Sequence, residues 1–195
     1  MKSILCSMKT AIIIHGMPSK EEFFDVNRPA SSNCHWLPWI QKKLLLQGVL
    51  AQTPEMPEPY LPIYENWKSV FERFPIDEES ILIGHSCGGG FLVRWLSEHK
   101  NVKVNKVVLV APWLDPDNFL NNGMFSFEID GDIASRTGGL SIFYSADDMS
   151  EVLDSIKLLK EKLQGVKLME FTNKGHFCFD DLKTDAFPEL LEILQ

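Results

Sequence analysis

The sequence has few cysteines, and they are not arranged as a metal site or a disulfide framework. Its four cysteines, Cys6, Cys34, Cys87 and Cys178, are widely scattered, and no CxxC motif is present. No spacing of cysteine and histidine resembles a zinc site, so no metal is expected. We interpret the four as reduced thiols in a cytoplasmic protein, although counting alone leaves a disulfide between some pair open.

Long apolar runs and clusters of positive charge are also missing. No segment approaches the ~18 apolar residues that a membrane span needs, and Lys9 interrupts the short apolar runs near the N-terminus, unlike in a signal peptide. The formal charge is −8, from 27 acidic and 19 basic residues, with no Lys/Arg cluster. Neither a membrane nor nucleic acid is therefore an expected partner, and nothing indicates a protein partner.

The composition and length favour a single folded domain over residues 1–195. Hydrophobic residues make up 45% of the chain and charged residues 24%, which is ordinary for a globular protein. A chain of this length can bury a substantial core. Residues 1–8 are interpreted as a flexible extension, because Met8-Lys9 repeats Met1-Lys2.

Strand and helix patterns alternate along the chain. Short aliphatic runs predict strands at 10–15, 49–52, 80–84, 106–110, 140–145 and 166–171. Amphipathic spacing predicts helices at 35–47, 63–74, 87–99, 152–163 and 186–194. Repeated strand–helix units predict an α/β fold, a three-layer α/β/α sandwich around a mostly parallel central sheet.

Two segments lack a regular pattern. Residues 16–33 are interpreted as a polar loop, with Asn33 as the predicted cap of the helix that follows. Residues 112–139 are too long for an ordinary connection and are rich in Asn, Asp and Phe. Segments of that length are often lids or binding elements, and a surface insertion with a short helix is an equal alternative.

The segment GHSCG, residues 84–88, fits the pattern G-x-S-x-G between a predicted strand and a predicted helix. A sharp strand-to-helix turn exposes its central residue above the sheet, and flanking glycines let strand and helix approach closely. The segment lacks the G-K-[ST] ending of a phosphate-binding loop. A glycine-rich turn with an incidental serine is the alternative. The context favours Ser86 as a nucleophile and disfavours Cys87, because the turn presents its middle residue.

A nucleophilic serine needs a general base, and the base needs an acid to orient it. His176 follows the last predicted strand, and Asp147-Asp148 follows the strand before it. The order Ser, Asp, His is typical of this kind of turn. Triad acids commonly lie in a loop of the form G-x-x-D, and Ser145 in the glycine position favours Asp148. Asp147 is the alternative acid.

Two backbone N–H groups would be needed to bind the negative charge that develops on a carbonyl oxygen. Cys87, directly after the serine, should supply one. Met17, in the loop after the first strand, is the best candidate for the other. For His35 a packing role at the start of a helix is as compatible as a role in the site. The residues that could line the site are His15, Gly16, His35 and Trp36.

Four segments together, AIIIHG, GHSCGG, YSADD and KGHF, look like those of an α/β-hydrolase. HWLPWIQKKL, PEMPEPYLPIYENW and GHFCFDDLKTDAFPELLEIL resemble the compact serine hydrolases of the retinoblastoma-binding-protein-nine type and their bacterial relatives. The resemblance covers nearly the whole chain and is weakest across 112–139. It implies a minimal α/β-hydrolase fold with little or no cap, and a triad of Ser86, Asp148 and His176.

These observations predict a serine hydrolase that cleaves a small ester, thioester or amide, with carboxylic esters favoured. Its chemistry requires no metal or organic cofactor, and its partner is the small-molecule substrate. The alternative is a binding protein that keeps the hydrolase fold with weak or no turnover, because a fold alone does not imply activity. The presence of Ser, Asp and His in the expected order favours the enzyme.

Overall fold

Six strands form one sheet in the order β2-β1-β3-β4-β5-β6, and every strand is parallel to its neighbours. The computed structural model describes residues 9–195, so the predicted extension 1–8 lies outside the described residues. The strands are β1 (Thr10–Ile14), β2 (Leu50–Gln52), β3 (Ile81–His85), β4 (Lys106–Val110), β5 (Leu140–Ser145) and β6 (Lys167–Phe171). Each predicted strand is present, with ends that agree within one residue.

Seven helices connect or follow these strands in the described chain. They are α1 (Lys20–Phe24), α2 (Leu37–Leu46), α3 (Tyr64–Phe71), α4 (Cys87–Glu98), α5 (Ser150–Lys162), α6 (Phe179–Leu182) and α7 (Pro188–Leu194). Two 3₁₀ helices lie at Ser31–Asn33 and Ile133–Arg136. Helices α1 and α6 were not predicted from the sequence, and the other five were.

The central strands form the core because most of their residues are apolar. Every residue of β3 and of β5 is buried. In register, Ile13 of β1 pairs with Ile83 of β3, and Ile83 pairs with Val108 of β4. Continuous aliphatic strands of this kind are typical of parallel sheets that are covered on both faces.

Helices cover both faces of the sheet. Helix α2 packs on β1 and β2 and also contacts α7, whereas α3 packs on α4 through Phe71, whose ring centroid lies 5.3 Å from that of Phe91. The connection from β1 to β2 runs along the sheet in the direction opposite to the connection from β3 to β4. Because both crossovers are right-handed, α2 and α4 lie on opposite faces. The predicted three-layer α/β/α sandwich is confirmed.

The segment predicted as a plain loop, 16–33, contains α1. A capping box starts this helix: Ser19 Oγ accepts the N–H of Glu22, and the Glu22 carboxylate accepts the N–H of Ser19. The prediction that Asn33 caps the next helix is wrong. Asn33 lies in a 3₁₀ turn, and His35 then adopts φ +57°, so α2 begins only at Leu37.

Residues 112–139 pack against the outer side of α4. The Arg94 guanidinium donates to the carbonyl oxygens of Gly123 and Met124 at 2.6 and 2.8 Å. Arg136 donates to the carbonyl oxygen of Leu96 at 3.1 Å. The segment thus has the form of the surface insertion with a short helix.

None of the helices within residues 9–195 combines the length and the apolar character required to cross a membrane.

Candidate active site

Ser86 occupies a strained turn between β3 and α4. Its backbone has φ +53° and ψ −120°, a conformation that residues with a Cβ atom rarely adopt. Two long-range hydrogen bonds hold it: the Ser86 N–H donates to the carbonyl oxygen of Val110 at 2.9 Å, and its own carbonyl accepts the N–H of Trp113 at 3.1 Å. The surrounding chain therefore stabilises the turn that presents this serine.

Two glycines permit the close approach that the turn requires. A Cβ atom on Gly84 would lie 2.6 Å from the carbonyl oxygen of Gly88. A Cβ atom on Gly88 would lie 2.5 Å from the carbonyl oxygens of Ile14 and His15. Real Cβ atoms do not approach oxygen this closely, so both positions need glycine. As a result, the first turn of α4 lies directly against the ends of β1 and β3.

His176 meets a buried carboxylate beyond the end of β5. Its Nδ1 lies 3.0 and 3.1 Å from the two oxygens of Asp148, whose side chain is fully buried, while the imidazole is 17% exposed. A carboxylate oxygen only accepts, so a neutral imidazole carries its proton on Nδ1 and presents an unprotonated Nε2. This is the tautomer that a general base requires.

Asp147, the alternative acid, has a different position. Its carboxylate accepts hydrogen bonds from the Ser145 hydroxyl and from the N–H of Gly175, the latter at 3.2 Å. The hydrogen bond from Ser145 is the main reason that the pKa of Asp147 lies below its usual value. Of the two adjacent aspartates, Asp148 is the one that contacts the imidazole, and Asp147 connects the loop after β5 to the loop after β6.

The peptide groups of His176 are held by side chains. Its N–H donates to Asp181 at 3.0 Å, and its carbonyl oxygen lies 2.8 Å from Nε2 of His85. The preceding Lys174 N–H donates to the Ser145 hydroxyl at 3.0 Å. The roles of Asp181 and His85 were not predicted from the sequence. The acidic N3 position of the short helix α6 was the available signal for Asp181, and His85 had none.

A cavity of about 1020 Å³ opens beside Ser86 and His176. Gly16, Met17 and His35 also lie on its wall, and most of the remaining wall comes from residues 18–38 and 178–185. No residue of 112–139 lines it, so the interpretation of that segment as a lid is wrong. Its contacts include those with α4 and with the Ser86 turn, where the Trp113 N–H donates to the Ser86 carbonyl oxygen. The irregular segment that does line the cavity is the one that includes α1.

Apolar and charged side chains of the α1 segment shape the outer part of this cavity. Phe23 and Phe24 line it and pack against Tyr60, with ring centroids 4.9 and 5.5 Å from that of the tyrosine. Arg28 forms an ion pair with Glu22, which also belongs to the capping box. Helix α1 has no buried residue, so these contacts with its neighbours position it.

Ser86 and His176 share the cavity, and the loop after β1 lies against the serine. A Cβ atom on Gly16 would lie 3.1 Å from Cβ and 3.6 Å from Oγ of Ser86. Among residues 9–195, no hydrogen bond joins the Ser86 hydroxyl to His176 in this arrangement. Such hydrogen bonds are often long in unliganded sites and tighten when substrate binds.

Two residues expected to line the site lie behind its wall. His15 is 1% exposed; its Nε2 accepts the N–H of Met56 at 2.9 Å, and its Nδ1 therefore donates to the carbonyl oxygen of Gly16 at 2.7 Å. Burial lowers the pKa of His15, which favours the neutral ring. Trp36 is fully buried beside His85. Residues 55 and 56 cover His15, and the imidazole of His85 lies against Trp36. Both side chains therefore support the cavity wall from within the core.

His35 lies on the cavity wall, as one of its two interpretations required. Its Nδ1 accepts the N–H of Phe179 at 3.0 Å, which links the start of α2 to the start of α6. Burial is the largest reason that the pKa of His35 is lowered, and the neighbouring His176 acts in the same direction. A neutral His35 can thus keep its acceptor role without placing a second positive charge near His176.

The two residues whose N–H groups were predicted to bind an oxyanion lie on either side of Ser86, one in the loop after β1 and the other at the start of α4. Met17 lines the cavity, and Cys87 is the first residue of α4. Within the described chain, no backbone hydrogen bond uses either N–H as donor. The Cys87 thiol is fully buried, and burial raises its pKa, so this side chain is not an available nucleophile.

No group of three metal-ligating side chains occurs within residues 9–195.

Comparison with known proteins assigns this arrangement to a family. The family model for serine hydrolases matches residues 29–190, which include Ser86, Asp148 and His176. The chain belongs to the serine hydrolase family. Among curated relatives of this serine hydrolase, YdeN of Bacillus subtilis strain 168 is 28% identical over 175 residues, covering 85% of this chain and 89% of YdeN. The serine hydrolase RBBP9 of Rattus norvegicus is 26% identical over 166 residues, covering 82% and 84%.

Solved structures give the same fold. The structure of the ydeN gene product of B. subtilis superposes with a TM-score of 0.73 at 24% identity and covers 95% of this chain and 96% of its own. Est1E from Butyrivibrio proteoclasticus superposes with a TM-score of 0.63 at 15% identity, covering 94% and 87%. This serine hydrolase therefore has the α/β-hydrolase fold that the sequence motifs resemble.

Proposed function

We propose that the protein hydrolyses carboxylic esters with Ser86 as nucleophile, His176 as general base and Asp148 as the acid that orients the base. The pairing of the buried Asp148 with His176, beside a cavity that also contains Ser86, carries this proposal. Family membership supports the coarser conclusion of hydrolase activity. The assignment of each residue to its step is an inference from contacts and chemistry.

In the acylation step, Ser86 Oγ attacks the carbonyl carbon of the ester while its proton passes to Nε2 of His176. The imidazole becomes positively charged, and the carboxylate of Asp148 on Nδ1 stabilises that charge. The protonated His176 then donates its proton to the leaving alcohol. A water molecule, deprotonated by the same nitrogen, attacks the carbonyl carbon of the acyl-enzyme. The bond to Ser86 Oγ then breaks, His176 returns the proton to that oxygen, and the acid is released.

The oxyanion formed in both steps requires hydrogen-bond donors placed beside Ser86. We assign this role to the backbone N–H groups of Met17 and Cys87. The N–H of Cys87 lies at the N-terminal end of α4, a twelve-residue helix whose dipole favours negative charge there. The loop of Met17 is held against the serine through Gly16. All of these groups belong to the protein, so the mechanism proceeds without metal or organic cofactor.

The cavity favours a small-molecule substrate with an apolar part. At about 1020 Å³ it can hold a drug-sized ligand, and Phe23, Phe24 and Phe179 offer apolar contacts. Thioesters and amides would be attacked at the carbonyl carbon in the same way. We propose esters as the preferred substrates because an alkoxide is an easier leaving group than the amine of an amide.

The free thiols of Cys34, Cys87 and Cys178 support a cytoplasmic location, where thiols remain reduced.

The decisive experiment is covalent labelling with a fluorophosphonate probe, combined with hydrolysis of p-nitrophenyl esters of increasing acyl length. Wild-type protein should be labelled and should hydrolyse short esters, and Ser86→Ala should do neither. Ser31→Ala is the matched control, because Ser31 is another serine on the wall of the same cavity. The proposal fails if the wild type is not labelled, as expected of a binding module, or if Ser86→Ala is labelled as strongly, which would make another residue the nucleophile.

A further inference from the structure

His85 is a buried histidine that the proposed reaction does not use, although it directly precedes Ser86. It is 2% exposed, and its Nε2 lies 2.8 Å from the carbonyl oxygen of His176. Because a carbonyl oxygen only accepts hydrogen bonds, Nε2 must carry the proton. Nδ1 is then unprotonated, and it has no hydrogen-bond partner among the described residues. His85 is thus a donor to the backbone of the proposed base.

The ring of His85 is held in place on several sides. Its centroid lies 5.6 Å from that of the fully buried Trp36 and 5.7 Å from that of His35, both in edge-to-face contact. The imidazole of His176 lies at 5.1 Å on a further side. Rotating His85 away from the His176 carbonyl would therefore require the core around Trp36 to move as well.

The loop that carries His176 has little regular structure of its own. The peptide of His176 is held by Asp181 at its N–H and by His85 at its carbonyl. Asp181 belongs to the short helix α6 that directly follows the loop, five residues further along, so this contact is local to the same part of the chain. His85 belongs to β3, the strand that leads into Ser86. Of the two contacts, the one with His85 connects the base to the strand that presents the nucleophile.

We propose that His85 is a positioning residue that fixes the separation between Ser86 and His176 through the hydrogen bond to the His176 carbonyl oxygen. The inference rests on the proposed function, because it assigns His85 a role in the step between those two residues. His85 is 2% exposed where it meets the cavity, and in this proposal it acts through the backbone of His176 and not on the transferred proton. Its effect is geometric: a displacement of about 1 Å of a reacting group can cost about 100-fold in rate.

The neutral state of His85 suits this role. Full burial holds the pKa of His85 well below its ordinary value, and the nearby His176 and His35 lower it further. His176 becomes positively charged during acylation, and a charged neighbour with its ring centroid 5.1 Å away would oppose that change. A neutral N–H donor orients the His176 peptide without this repulsion.

Three variants separate the donor at Nε2 from other features of the histidine. In His85→Gln the side-chain amide can place an N–H close to the position of Nε2. In His85→Asn the amide is too short to reach the carbonyl, and His85→Leu has no donor. We expect kcat for p-nitrophenyl butyrate to fall at least about tenfold in the Asn and Leu variants, with KM within about twofold, and to stay within about threefold of wild type in the Gln variant.

His99→Leu is the matched control. His99 also places a ring nitrogen on a backbone carbonyl, that of Trp95 at 2.7 Å, but it lies at the end of α4 and not on the cavity wall. Its loss should leave kcat within about twofold of wild type. Rates are normalised to folded protein by near-ultraviolet circular dichroism. If His85→Leu does not fold, the comparison between Gln and Asn decides the question, since both side chains are polar amides.

The inference is overturned if the Asn variant keeps wild-type kcat, if the Gln variant loses as much as the Asn variant, or if His99→Leu loses as much as His85→Leu. These results differ from those expected if the proposed function itself were wrong, because the wild type would then show no fluorophosphonate labelling. A wild type that is labelled and active, with His85 variants that do not follow the expected order, overturns the positioning role alone.

Discussion

Asp148 and His176 are separated by 28 residues in the chain and meet at 3.0 Å where the loops after β5 and β6 converge. The carboxylate is fully buried, and the imidazole remains partly exposed to the cavity. Asp147, one residue earlier, points to Ser145 and Gly175. Two chemically identical neighbours therefore occupy different environments, and this difference leads to a direct test of their roles.

Replacing Asp148 by Asn should lower kcat for ester hydrolysis by about 1000-fold to 10,000-fold, because the amide cannot stabilise the imidazolium or select its tautomer. Replacing Asp147 by Asn should lower kcat less than about tenfold, since an amide oxygen can still accept the hydrogen bonds of Ser145 and Gly175. Steady-state kinetics with p-nitrophenyl acetate measures both. Equal losses in the two variants would contradict the assignment of Asp148 as the acid.

Acid should destabilise the protein at a pH where its carboxylates are still ionised. Burial lowers the folded-state pKa of His15, His35 and His85 below the ordinary value of about 6.5. Below pH 6.5 the unfolded chain therefore binds protons that the folded chain does not, and the free energy of unfolding falls with decreasing pH. Each such histidine contributes a slope of up to about 1.4 kcal/mol per pH unit. Above pH 6.5 this contribution is constant.

Urea unfolding between pH 7.5 and pH 5.5 measures this slope. His85→Gln removes one buried imidazole while retaining a donor, so its free energy of unfolding should depend less steeply on pH than that of the wild type. The slope of the free energy of unfolding against pH should differ between the two proteins below pH 6.5 and should be the same above it. Parallel curves for wild type and variant over this range would refute the prediction.

The two glycines beside Ser86 should not tolerate a side chain. In Gly84→Ala the new methyl group would lie 2.6 Å from a backbone carbonyl oxygen, which only a shift of the β3–α4 turn can relieve. We expect a loss of about 3 kcal/mol in the free energy of unfolding, together with loss of esterase activity. Gly139→Ala is the control, because a Cβ atom there meets nothing within 4 Å. Thermal unfolding of both variants checks the difference.

Substitutions in α1 should change the KM for ester substrates, whereas substitutions in the 112–139 segment should not. Phe24 lines the cavity and is 60% exposed, so Phe24→Ala removes apolar surface available to a substrate. We expect KM for p-nitrophenyl hexanoate to rise roughly fivefold, about 1 kcal/mol of lost apolar contact, with a smaller effect for the acetate. Phe119, 75% exposed and not on the wall, is the control. A rise of the same size in Phe119→Ala would contradict this assignment.

Strands β1, β3, β4 and β5 were predictable because each contains a short aliphatic run that is buried on both faces of the sheet, whereas the edge strands β2 and β6 are largely exposed. The G-x-S-x-G turn was predictable for a related reason, since its glycines are required by the 2.5 and 2.6 Å approaches seen at Gly88 and Gly84. The spacing from Ser145 selected the aspartate that contacts His176. Local rules were sufficient for these features.

Other features left too little local signal to be predicted. Helix α1 buries no residue, so it produces no apolar periodicity, and only the Ser19–Glu22 capping pair marks it. His15 and Trp36 were expected on the cavity wall, but their exposure depends on which other segments cover them. The contact of His85 with His176 spans 91 residues, and nothing near His85 in the sequence indicates its partner.

The wall that contains α1 is almost independent of the folded core. No side chain of α1 is buried, while the sheet and the Ser86 turn are held by contacts elsewhere in the chain. Substitutions at Phe24, which is 60% exposed and outside the capping box, should therefore alter the cavity wall at little cost in folding free energy. Substrate range can diverge through this short stretch while the reactive groups stay constant, and exchanging the stretch between relatives is a direct route to redesigning selectivity.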